Sequence, residues 1–154
     1  MAKYKQRISD RILKRKVLGK GAVLIEGPKW CGKTTTAKQL AKSVLDLGDS
    51  SVLKQSAQLI ELSPKTLLEG KTPRLIDEWQ ALPLIWDSIR SEVDKRGEPS
   101  QFILTGSSVL PEADETIHSG TGRFAYIKMR PMSLYESGES NGTVSLTDLF
   151  EGKP

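Results

Sequence analysis

A glycine-rich loop, placed between an aliphatic run and a helical pattern, constrains the fold of this chain more than any other feature. Residues 27–34 read Gly-Pro-Lys-Trp-Cys-Gly-Lys-Thr, which is a glycine, four residues and then Gly-Lys-Thr. The aliphatic run Ala22–Glu26 precedes the loop and suits a buried parallel strand, while apolar residues at helical spacing follow Lys33. A strand, such a loop and a helix in that order predict a P-loop at the start of an α/β fold.

The composition of the loop predicts that it binds the phosphates of a nucleotide. Its backbone N–H groups and the start of the next helix can face an anion, the Lys33 ammonium can reach the β- and γ-phosphates, and the Thr34 hydroxyl can coordinate Mg²⁺. A chance turn before a helix is the alternative, and the flanking elements weigh against it. The expected nucleotide contacts are Gly27, Pro28, Lys29, Trp30, Cys31, Gly32, Lys33, Thr34 and Thr35. Trp30 is expected either to pack over the loop or to border the base.

A pair of carboxylates follows an apolar dipeptide in Leu75-Ile76-Asp77-Glu78. Asp77 is expected to hold the Mg²⁺ shell, and Glu78 is expected to polarise the attacking water as general base. Both would lie where a strand ends, at the edge of a parallel sheet that faces a nucleotide. An exposed Asp-Glu at a strand-to-helix turn is the alternative, and the upstream loop favours the functional interpretation.

Two further regions are candidates for contacts with the transferred phosphate. The apolar strand Gln101–Thr105 ends in small polar residues, and Thr105 and Ser107 stand where P-loop enzymes place a side chain that senses the attacking water or the γ-phosphate. Arg123 precedes the predicted strand Phe124–Met129 and could supply charge to the transition state of its own chain or, in a homo-oligomer, of a neighbour. For Thr105 and Ser107 the alternative is an ordinary turn, which small polar residues also suit. For Arg123 the alternative is a position in a glycine-rich surface loop.

Alternating strand and helix patterns predict an α/β sandwich with a mainly parallel sheet. The helix that begins at Lys33 is expected to run to Gly48, and a strand is expected over Ser51–Lys54. The other expected elements are a helix from 64 to 70, a strand at 75–76, a helix over 82–97, a strand over 101–105, a helix over 111–118 and a strand over 124–129.

Composition excludes several classes of protein. The chain has 154 residues, enough for one domain with a buried core, and its 37% hydrophobic and 27% charged residues are typical of globular proteins. The longest aliphatic run, Ala22–Ile25, is too short to span a bilayer, and no apolar segment of signal-peptide length follows the basic start. We therefore expect no membrane contact and a cytoplasmic location. The single cysteine, Cys31, excludes an internal disulfide.

The net charge of +4 is concentrated at the start of the chain. Residues 1–20 hold eight Lys or Arg and one acid, Asp10. This segment could contact nucleic acid or nucleotide phosphates, but no aromatic stacking pattern accompanies the charge, which favours a solvated leader. We therefore expect three parts: a basic segment 1–20, a core 21–136, and residues 137–154, which are expected to form a loop and the start of a truncated C-terminal element.

With these motifs in place, the chain resembles a family of prokaryotic AAA-type ATPases. The similarity rests on residues 23–34 and on Pro-Arg-Leu-Ile-Asp-Glu-Trp-Gln (73–80), Phe-Ile-Leu-Thr-Gly-Ser-Ser (102–108), His-Ser-Gly-Thr-Gly-Arg (118–123) and Met-Arg-Pro-Met-Ser-Leu-Tyr-Glu-Ser-Gly (129–138). The resemblance implies a P-loop NTPase three-layer sandwich with a five-stranded sheet in the order 5-1-4-3-2. It also implies ATP and Mg²⁺ as ligands, an N-terminal segment near the adenine, Asp77 and Glu78 as the Walker B pair, a sensor near Thr105, and an arginine finger at Arg123.

The leading functional interpretation is a Mg²⁺-dependent ATPase. A nucleotide-binding switch that turns over rarely and a small-molecule kinase are the alternatives. The absence of an Asn-Lys-x-Asp motif disfavours a GTPase. Glu78 directly after Asp77 suits activation of water better than transfer of phosphate to a second substrate.

Overall fold

A computed structural model describes residues 4–106 and 122–152 of the chain. The strands are β1 Ala22–Glu26, β2 Ser43–Asp46, β3 Arg74–Asp77, β4 Phe102–Gly106 and β5 Phe124–Lys128. The helices are α1 Ile8–Gly19, α2 Lys33–Lys38, α3 Ser50–Leu62, α4 Pro64–Leu68, α5 Ile85–Arg96, α6 Leu134–Ser137 and α7 Leu146–Phe150, with a 3-10 helix at Trp79–Ala81. The helix expected over 111–118 and the candidate Ser107 lie outside the described residues.

The five strands form one sheet in the order β2-β3-β4-β1-β5, and each described strand runs parallel to its neighbours. Numbered from the other edge, this is the order 5-1-4-3-2, which confirms the predicted fold. β1 pairs on one side with β4, up to Glu26↔Gly106, and on the other side with β5, up to Glu26↔Lys128. Because the strands share one direction, the carboxyl ends of β1, β3 and β4 lie at the same edge of the sheet.

Helices cover both faces of the sheet, which gives the predicted three layers. On one face Leu24, Ile76 and Leu104 pack with Trp86 and Ile89 of α5, in a cluster that also includes side chains of α3 and α4. The other face carries a second cluster with side chains of α1 and α2. Residues of β1 alternate between the two clusters because successive side chains of a strand point to opposite faces.

The basic N-terminal segment forms a helix that packs on the sheet along one side. Leu13 and Val17 of α1 are 0% and 5% exposed and belong to the second cluster. They are four positions apart and so share one face of the helix. The basic residues Arg11, Lys14 and Arg15 are exposed. The expectation of a solvated leader therefore describes only the polar face of this helix.

The prediction of one helix from Lys33 to Gly48 is wrong for the residues that follow Lys38. α2 ends at Lys38, and Ser43–Asp46 form the edge strand β2 instead. The apolar spacing after residue 38 fits a helix, but it competes with parallel pairing to β3. That pairing prevails because it satisfies backbone N–H and C=O groups along both strands.

The strand predicted over Ser51–Lys54 is also wrong, since these residues begin α3. The Asp49 carboxylate accepts hydrogen bonds from the N–H groups of Ser51 at 2.8 Å and Val52 at 3.2 Å. An Asp at this position satisfies donors that the first turn of a helix leaves unpaired, so capping outweighs the β-propensity of Val52. The remaining expected elements in the described ranges correspond to α4, α5, β3, β4 and β5, with shifts only at their ends.

After β5 the chain returns towards the N-terminal segment. It enters α6 at Leu134, and residues 138–145 belong to no helix or strand. In α7, Leu146, Leu149 and Phe150 are exposed. None of the helices in the described ranges has the length and apolar content needed to cross a membrane.

We expect Leu13→Ala to lower the free energy of unfolding by about 2–5 kcal/mol, because it empties space between α1 and the sheet. Leu18→Ala is the matched control: it lies on the same helix but is 67% exposed. It should change the free energy by less than about 0.5 kcal/mol. Urea denaturation of both variants measures the difference. Equal, small losses would show that α1 does not belong to the core.

Candidate functional site

The P-loop follows β1 and passes closely between two neighbouring groups. A Cβ atom at Gly27 would lie 2.3 Å from the carbonyl oxygen of Met129, so no side chain fits there. Gly32 has a φ of +98°, which favours glycine, and a Cβ there would lie 3.1 Å from Nη1 of Arg7. The two glycines of the motif thus allow the loop to pass between Met129 and Arg7.

Lys33 is the first residue of α2 and is only 5% exposed. Its Nζ donates hydrogen bonds to the carbonyl oxygens of Gly27 at 2.8 Å and Pro28 at 2.9 Å. The ammonium is therefore held across the loop, beside the backbone expected to surround a phosphate. Anionic oxygens are stronger acceptors for such a group than carbonyl oxygens.

Asp77, at the end of β3, binds two other residues singled out in the sequence. Its Oδ1 accepts a hydrogen bond from the Thr34 hydroxyl at 2.8 Å and another from the Thr105 hydroxyl. Asp77 is 5% exposed and Thr105 is 0% exposed. The parallel order of β3, β4 and β1 brings these side chains to one edge of the sheet, next to the start of the P-loop.

Glu78 turns the chain out of the sheet and lies next to a glutamine that the sequence analysis did not single out. Its φ is +54°, and its N–H donates to Oγ1 of Thr105 at 3.4 Å. The side-chain amide of Gln80 donates to its carboxylate. An amide two residues after a catalytic-type carboxylate, in a tight turn, is the sequence signal that could have identified Gln80.

An open cleft of about 540 Å³ lies over the P-loop. Its lining residues are Lys29, Trp30, Gly32, Lys33, Thr34, Thr35, Glu78 and Gln80. Trp30 is 99% exposed, so it does not pack over the loop, and its contact with a base stays a prediction. Cys31 is buried, with its Sγ 3.9 Å from the carbonyl oxygen of Met129. The cleft therefore takes its polar groups from the P-loop and from the turn after β3.

The chain also matches a known protein family. A family model described as an AAA domain covers residues 19–138. The chain belongs to the AAA domain family. The matched range contains the P-loop, Asp77, Glu78 and Arg123, and membership implies nucleotide binding or hydrolysis at the P-loop.

Two curated proteins are similar to part of this chain. They are uncharacterized proteins of Mycobacterium tuberculosis and Mycobacterium bovis, each 27% identical over 120 residues. The similarity covers 77% of this chain and 27% of each relative, so the chain spans about a quarter of the length of the relatives it matches. The names of these relatives state no activity.

Arg123 lies at the opposite end of the sheet from the P-loop of this AAA domain. Its carbonyl oxygen accepts a hydrogen bond at 3.4 Å from the N–H of Ala22, at the beginning of β1. The length of β1 then separates it from the P-loop by roughly 13 Å. Its guanidinium pairs with Asp94 of α5, and this hydrogen bond raises the pKa of Arg123. Arg123 does not join the site of its own chain, and a role in a neighbouring subunit stays a prediction.

Arg7 holds the outer side of the P-loop, and the sequence analysis did not assign it to the site. Its side chain is 6% exposed and donates from Nη1 to the carbonyl oxygen of Cys31 at 2.7 Å, from Nη2 to that of Arg130 at 3.0 Å, and from Nε to Glu136 at 3.0 Å. No local pattern could indicate these contacts, because the partners lie 24, 123 and 129 positions away.

The Glu136 carboxylate accepts several hydrogen bonds at the start of α6. Its Oε1 accepts from Arg7 and from the N–H of Ile8 at 2.8 Å, and its Oε2 accepts from the N–H of Ser133 at 2.8 Å. Burial raises the pKa of Glu136, but the hydrogen bonds from Ser133, Ile8 and Arg7 outweigh it and lower the pKa from 4.5 to about 2. Glu136 is therefore ionised at neutral pH.

Tyr4 and Asp10 bring the N-terminal segment against α2. The Tyr4 hydroxyl donates to Oδ1 of Asp10 at 2.6 Å and lies 3.2 Å from Oγ1 of Thr36. Burial and then the hydrogen bond to Asp10 raise the pKa of Tyr4 to about 12, which keeps the hydroxyl protonated. A second cleft, of about 460 Å³, opens here beside Arg11 and Gln39. Contact between this segment and an adenine stays a prediction.

The low pKa of Glu136 predicts a specific dependence of stability on pH. Because the pKa of Glu136 is about 2 in the folded chain and the ordinary value for this carboxyl is 4.5, the stabilisation is complete above pH 4.5 and is lost as the pH falls towards 2. We expect the difference in free energy of unfolding between the wild-type chain and Glu136→Gln to shrink below pH 4.5. Urea denaturation at a series of pH values measures it, with the exposed Glu139→Gln as control. A difference that does not change with pH would contradict the prediction.

Proposed function

We propose that this AAA domain binds ATP together with Mg²⁺ and hydrolyses the ATP. The observation that carries the proposal is the meeting of Thr34 and Thr105 on one oxygen of Asp77, beside the buried ammonium of Lys33. The two proposed cation ligands, Thr34 and Asp77, therefore lie at the same edge of the sheet as the ammonium that is proposed to bind phosphate. The second carboxylate, Glu78, lines the adjoining cleft. This is the set of groups that P-loop phosphoryl transfer needs.

The donor atoms at this edge of the sheet fit Mg²⁺. The Thr34 hydroxyl and the Asp77 carboxylate are oxygen donors 2.8 Å apart, and Mg²⁺ prefers oxygen ligands and commonly keeps water and substrate phosphates among them. Within the described part of the chain, no group of three or more His, Cys, Asp or Glu side chains could hold a metal by itself. With Thr34 and Asp77 as its two protein ligands, the ion would take its other ligands from the phosphates and from water. When bound, the ion would neutralise part of the phosphate charge.

Lys33 and the loop would hold the phosphates. The ammonium has three N–H donors, and two of them now bind the carbonyl oxygens of Gly27 and Pro28. A small rotation of the side chain would exchange one carbonyl for a β- or γ-phosphate oxygen while the other contact remains. The exchange replaces a neutral acceptor with an anionic one, which strengthens the hydrogen bond.

Glu78 is the proposed general base. Its carboxylate lines the cleft next to the proposed cation ligand Asp77 and can take a proton from a water that attacks the γ-phosphate. Gln80 orients this carboxylate through its side-chain amide. Thr105 donates its own proton to Asp77 and accepts from the N–H of Glu78. We therefore assign Thr105 to orienting the two acidic residues rather than to direct contact with water.

A nucleotide-binding switch with slow turnover is the second candidate. The observation that favours it is the hydrogen bond from Gln80 to Glu78, since a carboxylate oxygen that accepts from an amide is less available to a water. Turnover would then depend on a change that releases Glu78. Steady-state phosphate release at saturating ATP distinguishes the two functions, because the switch binds nucleotide equally well but releases little phosphate.

Two substitutions separate binding from hydrolysis. We expect Glu78→Gln to keep ATP and Mg²⁺ binding but to lose at least about 100-fold in phosphate release, because an amide does not accept the proton. We expect Lys33→Ala to weaken ATP binding about tenfold or more, because it removes a charge-assisted contact. Calorimetric titration measures binding, and a phosphate-release assay measures turnover.

The controls for these variants are exposed residues of the same type. Lys38→Ala lies on α2 with Lys33, and Glu69→Gln follows α4. Neither control should change binding or turnover. Unchanged affinity in a folded Lys33→Ala variant would remove the P-loop assignment, and wild-type turnover in Glu78→Gln would place the general base elsewhere.

We also propose that Arg123 acts as an arginine finger on a neighbouring subunit. Arg123→Ala should then lower turnover by about 10³-fold while ATP affinity changes little. Arg123→Lys should recover little activity, because an ammonium cannot bridge two phosphate oxygens as a guanidinium does. Asp94→Ala is the control, since it removes the ion-pair partner and leaves the guanidinium in place.

Mixing inactive variants tests whether the finger crosses between subunits. An equimolar mixture of Arg123→Ala and Glu78→Gln should regain activity, because some interfaces then join an intact Glu78 site to an intact Arg123. Wild-type turnover should also rise with protein concentration. Wild-type activity in Arg123→Ala would leave Arg123 as an ordinary surface residue paired with Asp94.

A further inference from the structure

We infer that Arg7 is a positioning residue for the P-loop, and that its ion pair with Glu136 couples nucleotide binding to the docking of α6. The inference rests on the proposed nucleotide binding at the P-loop. It concerns two residues that are distant from the P-loop in the sequence, of which Arg7 contacts the outer side of the loop. Neither the motif nor the family match assigns a role to this pair.

The contact between Arg7 and Cys31 orients a peptide group of the P-loop. Nη1 of Arg7 donates to the carbonyl oxygen of Cys31 at 2.7 Å, and the guanidinium lies against Gly32. The Cys31–Gly32 peptide is trans, so its N–H points away from its carbonyl oxygen. Since Arg7 holds the carbonyl on the outer side, the N–H of Gly32 is turned towards the cleft that Gly32 lines. A backbone N–H in that direction is a phosphate donor.

The same guanidinium determines where the chain runs after β5. Nη2 binds the carbonyl oxygen of Arg130 at 3.0 Å and Nε binds Glu136 at 3.0 Å. Glu136 also accepts hydrogen bonds from the N–H and the hydroxyl of Ser133, at 2.8 and 2.9 Å. This carboxylate therefore joins α6 to the residue that orients the P-loop.

Burial makes this arrangement sensitive to the loss of either partner. The side chains of Arg7 and Glu136 are 6% and 8% exposed, so each charge depends on the other for compensation. Removing one partner from such a pair leaves an uncompensated buried charge. A displaced α6 would thus leave Arg7 free to turn away from Cys31, and the peptide that faces the phosphate would lose its support.

Coupling of this kind is reciprocal. If docking of α6 favours the P-loop conformation that binds nucleotide, then nucleotide must stabilise the docking of α6 by the same factor. A purely structural ion pair would stabilise the fold without such a link. The effect of nucleotide on α6 therefore distinguishes a positioning role from a structural one.

The test measures ADP affinity and hydrogen exchange on the whole chain. Arg7→Lys keeps the positive charge but cannot span three acceptors at once, and Glu136→Gln removes the charge from the other side. Calorimetric titration gives the affinity for ADP with Mg²⁺. Hydrogen exchange, with and without saturating ADP, is followed at the backbone amides that close α6, which are Ser137, Gly138, Glu139 and Ser140.

Two control variants separate the expected effect from general destabilisation. Arg90→Lys makes the same substitution in the partly exposed pair with Asp87 on α5. Val93→Ala removes buried volume in the core cluster on the face that α5 covers. Neither residue contacts the P-loop, so both controls should bind ADP like the wild-type chain when measured well below their melting temperatures.

We expect ADP to slow exchange at these amides several-fold in the wild-type chain. In Arg7→Lys and in Glu136→Gln, ADP affinity should fall about tenfold and the slowing at saturating ADP should be lost. If one variant does not fold, the other carries the same test. Normal ADP binding by the wild-type chain without slower exchange in α6, or equal slowing in a folded variant, would overturn this inference alone. No ADP binding by the wild-type chain would overturn the proposed function and this inference with it.

Discussion

The parallel pairing of β1 on both of its sides places the P-loop between the ends of β4 and β5. On one side Glu26 is level with Gly106, so Thr105 stands beside the start of the P-loop. On the other side Glu26 is level with Lys128, and the N–H of Met129 donates to the carbonyl oxygen of Glu26 at 2.7 Å. The loop therefore leaves the sheet between two strands whose ends are already in register with it. Tight backbone packing at this point is the reason that glycine begins the loop.

Two buried cations then set the direction of the peptide groups in the loop. Lys33 binds the carbonyl oxygens of Gly27 and Pro28, and Arg7 binds that of Cys31. In a trans peptide the N–H points opposite to the carbonyl oxygen, so the engaged carbonyls of Pro28 and Cys31 leave the N–H groups of Lys29 and Gly32 pointing away from the two cations. A loop whose carbonyls face cations and whose N–H groups face a cleft is suited to an anion. The positive side chains thus organise the backbone as well as contributing charge.

Local sequence was sufficient for the parts of the site that lie within a few residues of one another. The P-loop between β1 and α2, and the acidic pair at the end of β3, follow from spacing and flanking apolar residues. Local sequence failed between residues 39 and 54, where the same apolar spacing suits a helix or a strand. Pairing with β3 decided the first case, and the side-chain cap at Asp49 decided the second. A strand partner distant in sequence leaves no local signal.

The sequence by itself determined the family, the order of strands and helices around the P-loop, and the kinds of side chain available at the edge of the sheet. Only the tertiary structure decided that Thr105 binds Asp77, that Arg7 supports the loop through Cys31, and that Arg123 lies at the far end of β1. The physical reason is that these contacts join residues 24 or more positions apart in the chain. Their geometry depends on strand register and helix packing, which arise only when the whole sheet has assembled.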